Sequence, residues 1–89
     1  MVAALNRAVA LAQTRGPGAG LAAIDSLASD ERLQNYQPYW AARADLLARS
    51  GAPEAARQAY QRAIGLESDP AVRCFLQRRA AAAAHDRPL

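Results

Sequence analysis

Four breaks, each built from residues that end or start helices, cut this chain of 89 residues into five segments of helical length. Arg15-Gly16-Pro17-Gly18 is the sharpest, because glycine reaches unusual backbone angles and proline cannot continue a helix. The second runs from Ser29-Asp30-Glu31 to Pro38. In Ser50-Gly51-Ala52-Pro53, Gly51 suits the left-handed position after a helix and Pro53 the first turn of the next. Glu67-Ser68-Asp69-Pro70 sets an N-capping aspartate before a proline at the first helical position. The breaks predict helices over 2–14, 18–28, 37–50, 53–66 and 70–84. Connections this short make consecutive helices antiparallel neighbours.

Composition agrees. Alanine supplies 24 residues, and the β-branched ones are confined to Val2, Val9, Thr14, Ile24, Ile64 and Val72, so the chain reads as all-α. Large core-filling side chains are scarce, and methyl-lined helix faces must approach closely to exclude water. A single cysteine, Cys74, and a single histidine, His85, offer neither a disulfide framework nor a metal site. No apolar run approaches the roughly 20 residues that cross a bilayer, and no basic stretch precedes the first apolar one as in a secretory signal. A cytoplasmic protein without membrane contact is expected. The length allows one domain, over 1–84, with a frayed tail at 85–89.

The segments repeat. Arg7-Ala8-Val9-Ala10-Leu11-Ala12 and Arg43-Ala44-Asp45-Leu46-Leu47-Ala48 share Arg-Ala-x-x-Leu-Ala 36 residues apart, and a degenerate third copy starts at Arg79-Ala80. From Trp40 the order runs through Ala44, Leu47, Gly51, Ala56, Tyr60 and Ala63. This aromatic, small, large, glycine, small, aromatic, small order resembles the tetratricopeptide repeat. The resemblance implies two antiparallel helix pairs and a capping fifth helix, with Leu11, Ile24, Trp40, Leu47, Tyr60 and Phe75 in the core. Departures are Arg43, where the family packs leucine, Ser68 in place of proline, and Ala4 where the first unit's tryptophan would stand. An unrelated alanine-rich helical bundle is the alternative to the repeat.

A longer resemblance rests on five segments in order. They are Leu5-Asn6-Arg7-Ala8-Val9-Ala10, the Gly16-Pro17-x-x-Gly20-Leu21 turn, Ala41 to Leu47, Ala59-Tyr60-x-Arg62-Ala63, and Arg73-x-Phe75-Leu76-x-Arg78-Arg79. Together they are similar to the C-terminal extension of bacterial sigma factors of the extracytoplasmic-function type. The resemblance implies a non-catalytic regulatory module in transcription initiation, preceded in its parent by the two sigma domains that bind RNA polymerase and promoter DNA. An uncapped start at Met1-Val2-Ala3-Ala4-Leu5 agrees with a C-terminal piece of a longer protein. The alternative function is a free-standing adaptor that binds a peptide or protein and has no part in transcription.

No catalytic constellation stands out, and no cofactor is expected: there is no nucleophile elbow, no HExxH, and no lysine in the Gly16–Gly20 stretch that a phosphate loop would need. The concave face made by the first helix of each pair supplies the candidate protein-binding groove, with Asn6, Val9, Gln13, Asp45 and Arg49. Arg7 and Arg43 stand where the repeat packs leucine, so each needs a carboxylate partner if buried; Asp25 and Asp45 are the candidates. Tyr36 is the candidate exposed aromatic, and Cys74 a small apolar packer. The net charge is +3, all 11 basic residues being arginine, yet eight carboxylates are interspersed among them. A phosphate-binding surface needs a segregated stripe, so the expected partners are proteins (sigma domains, polymerase or a regulator) and not nucleic acid. Self-association as a homodimer stays open.

Overall fold

The structure is a computed structural model that describes residues 2–85. Its elements are α1 (Val2–Arg15), α2 (Pro17–Asp25), a single 3-10 turn at Glu31–Leu33, α3 (Gln37–Arg49), α4 (Pro53–Leu66) and α5 (Pro70–His85). No strand occurs among the described residues, so the chain is all-α. The tail expected at 85–89 lies outside the described residues from residue 86 onward.

The helix ends follow the local chemistry of the breaks. Gly16 (φ +94°) and Gly51 (φ +84°) hold the backbone where a Cβ would be strained. At the α3 end, Ala52 N–H donates to the Leu47 carbonyl at 2.9 Å and Gly51 N–H to that of Ala48 at 3.2 Å, the Schellman pairing. Pro17, Pro53 and Pro70 each open a helix, and the Asp69 carboxylate accepts the Ala71 N–H at 2.9 Å. The second helix ends at Asp25 and not at the expected 28. Beyond it the backbone bonds contract to three-residue steps, with Leu27 N–H on Ile24 and Ala28 N–H on Asp25.

Helices α1 and α2 form one hairpin and α3 and α4 a second, with α5 laid against α4. The α1–α2 seam is closed by absence of side chain: a Cβ built on Gly20 would lie 2.5 Å from the Ala12 Cβ and 3.0 Å from the Ala8 carbonyl oxygen. One apolar cluster joins α1, α2, the 3-10 turn and α3 through Leu5, Ala8, Ile24, Leu33, Tyr39 and Leu46. A second joins α3, α4 and α5 through Ala44, Ala59, Tyr60, Ala63 and Leu76. Trp40 packs against both from a half-buried position. Its indole N–H donates to the Gln34 carbonyl at 2.9 Å, which also accepts from Arg62 at 3.0 Å, while that guanidinium lies 5.7 Å from the Trp40 ring centre. This clasp fastens the long α2–α3 connection onto α4.

The core expectations need several corrections. Ile24 and Tyr60 are buried, but Leu11, Trp40 and Leu47 are only half-buried. Helix α3 lies between two hairpin seams and carries two apolar stripes. The fully buried residues on its first stripe are Tyr39 and Leu46, one position away from the expected Trp40 and Leu47. Phe75 is 57% exposed. On α5 the stripe Val72, Leu76 and Ala80 meets the second cluster, and Phe75, about 100° round from Leu76, falls off it. Tyr36 is half-buried against the first cluster, and Cys74 is exposed, next to Phe75.

Candidate functional groove

Helices α3 and α5, which both pack on α4, wall an open groove floored by Tyr60 of α4. Short connections and the Leu76 and Ala80 contacts draw α5 onto α4, which brings it alongside α3 as well. Two adjoining hollows, of about 210 and 350 Å³, share Asp45, Tyr60 and Arg79. The larger is apolar at one end, with Ala41 and Ala42 facing Phe75 and Leu76. The smaller continues past Arg49 to Ala82 and Ala83.

Asp45 is the polar centre of this groove. One of its oxygens accepts from Arg79 Nη2 at 2.8 Å, tying α3 to α5, and the other accepts from Arg49 Nη1 at 3.3 Å, one helical turn away. The Arg79 guanidinium is held above its already high range first by the Tyr60 phenol; burial opposes this, and Asp45 then adds to it. The arrangement stays cationic at every physiological pH. It presents donors and methyl surface, which suits recognition of an extended segment.

Of the expected groove residues, the structure brings Asp45 and Arg49 together in this hollow; Asn6, Val9 and Gln13 line neither hollow, Asn6 and Gln13 lying exposed on α1. Of the expected ion pairs, Arg43 meets Asp25 across the α2–α3 interface. Arg7 is exposed, so it is not a buried guanidinium, and Asp45 turns to Arg49 and Arg79 instead of Arg43, which leaves α3 on the opposite side. Tyr60, Phe75, Arg79 and Ala82 were not expected at the groove. The one signal was approximate: Asp45 and Arg79 are 34 residues apart, two short of this chain's own 36-residue repeat, so the third, degenerate copy beginning at Arg79 falls opposite α3. Among the described residues no three His, Cys, Asp or Glu side chains gather to hold a metal ion, and no helix is long and apolar enough to cross a membrane.

No protein-family model matches the chain, and no solved structure matches it. An uncharacterized protein of Rhizobium meliloti (strain 1021) is 38% identical over 76 residues, which cover 85% of this chain and 18% of that relative. The chain thus corresponds to less than a fifth of the length of the curated relative it matches.

Proposed function

We propose that the chain is a non-catalytic, tetratricopeptide-like protein-interaction domain of a bacterial sigma factor, regulating or completing it in transcription initiation. The observation that carries the reading is the α3–α5 groove, walled by helices about one repeat period apart and lined by both methyl groups and paired charges. The ordered segment resemblance supplies the sigma-factor part. The relative supports a place within a larger protein, because 76 residues at 18% of its length put that relative near 420 residues. In this reading the groove engages sigma domains, polymerase or a separate regulator.

The test begins with the parent reading frame. A helix-turn-helix region upstream agrees with the proposal, and a parent without one removes the sigma-factor part and leaves an adaptor. With the parent in hand, Ala82→Trp fills the groove from an exposed position of α5. Promoter-specific transcription by the reconstituted polymerase should then change several-fold while the domain keeps its helical signal. Transcription indifferent to this change refutes a regulatory groove.

A further inference from the structure

The charges of this protein are interspersed along the sequence but segregated in space. Helices α3 and α5 carry Arg43, Arg49, Arg73, Arg78 and Arg79 against one carboxylate, Asp45, a balance of +4 over the two helices. The whole chain is +3, so the remainder of the sequence is at −1. Not every arginine is available: Arg43 is paired with Asp25, and Arg73 donates to the Glu67 carbonyl at 3.3 Å. That leaves Arg49 and Arg79, which share Asp45, and Arg78. Arg78 is exposed and lines neither hollow, but it lies one helical turn from both Phe75 and Ala82, which do. Beside these cations, Phe75 exposes 57% of its surface next to Ala41, Ala42 and Leu76. A large exposed aromatic flanked by donors in excess of acceptors has the composition of a recognition surface.

We propose that the groove docks an acidic segment of a protein partner. An apolar side chain seats against Phe75, Ala41, Ala42 and Leu76, while neighbouring carboxylates meet Arg49, Arg78 and Arg79. This inference rests on the groove-docking reading and adds the chemistry of the occupant. A second copy of this chain fits poorly, since apposing two α5 helices that have three arginines each and no carboxylate brings like charges together. A nucleic acid fits less well than a peptide, because an apolar hollow takes alternating side chains better than a continuous row of phosphates.

The experiment is selection of a random dodecapeptide display library against the full chain, followed by affinity measurement of the recovered peptides by fluorescence anisotropy. Wild type is compared with Arg78→Glu, Phe75→Ala and Ala82→Trp, all exposed positions, with melting curves to establish that each variant is folded. The expected peptides are enriched in Asp and Glu beside Leu or aromatic residues. Their affinity should fall on the order of tenfold with Arg78→Glu, and it should weaken as salt rises. Ala82→Trp should weaken binding comparably, and Phe75→Ala should do so several-fold. Neutral or basic peptides that are still blocked by Ala82→Trp overturn the acidic occupant and leave groove docking standing. Peptides indifferent to Ala82→Trp, or no recovered binder, overturn both. Tighter binding of a single-stranded oligonucleotide that competes with the peptides overturns the protein partner in favour of nucleic acid.

Discussion

Replacing Gly20 by alanine puts a methyl group where α1 already stands. An added Cβ would sit 2.5 Å from the Ala12 Cβ and 3.0 Å from the Ala8 carbonyl oxygen. Neither obstacle is the loose end of a flexible side chain, so relief requires the two helices to part. Carbon atoms rest at about 3.5–4.0 Å, so the seam must open by roughly 1 Å, which forfeits a quarter to a half of the dispersion energy along it. Overpacking of this kind costs about 1–3 kcal/mol, against a gain of about 0.8–1.0 kcal/mol in helix propensity. The balance is a net loss of up to about 2 kcal/mol, which lowers the melting temperature of a domain this size by up to roughly 15 °C. Gly65 is the control, since a Cβ there meets nothing within 4 Å. Gly65→Ala should stabilise by about 0.5–1 kcal/mol. Thermal and urea unfolding followed by far-ultraviolet circular dichroism reads both variants. Ala12→Gly should partly rescue Gly20→Ala, a coupling that a double-mutant cycle isolates. If Gly20→Ala stabilises as Gly65→Ala does, or combines additively with Ala12→Gly, the close-packed hairpin seam is wrong.

Three further outcomes follow from burial and charge. Tyr39→Ala should cost about 3–5 kcal/mol because the ring is 1% exposed, whereas Phe75→Ala should stay within about 0.5 kcal/mol; equal losses in denaturant titrations would contradict the two assignments. The Asp30 carboxyl is held below the usual range, first by its hydrogen bond from the Arg32 side chain and then by that from the Arg32 backbone N–H. Its contribution to stability is therefore complete above the unfolded carboxyl's titration near about pH 4 and is lost as pH falls through the lower folded value. Asp30→Asn should flatten that acid limb in melts taken across it, and an unchanged limb would refute the assignment. Cys74 is exposed, so an aromatic disulfide reagent should titrate one thiol at once in the native protein; a thiol that reacts only after denaturant is added would place it in the core.

What the sequence made legible is what local chemistry determines. Gly16, Pro17, Gly51, Pro53, Asp69 and Pro70 act within a turn of themselves, so the helix ends they set lie within a residue or so of expectation. The end of α2 lacked such a residue, and there the boundary was three residues off. Facing was harder. Trp40, Ala44 and Leu47 form a sound helical stripe, but α3 is covered on two sides, and only the placement of α2 shows that Tyr39 and Leu46 are the more buried. The Arg43–Asp25 pair was legible because adjacent helices bring them together, while Asp45 found its partner on α5, which no local pattern reveals. Phe75 was misplaced for a related reason: two adjacent apolar residues on one helix cannot both face α4, and the sequence does not say which one yields.

The groove itself is tested most directly by nuclear magnetic resonance, titrating an acidic peptide into the isotopically labelled chain and following every backbone amide. Amides of Ala41, Ala42, Asp45, Phe75 and Ala82 should shift in concert with one binding curve, and those of α1 and the α1–α2 turn should stay still. Shifts concentrated on Asn6 and Gln13, or scattered over the convex face of α2 and α4, would contradict the assignment of function to the space between α3 and α5.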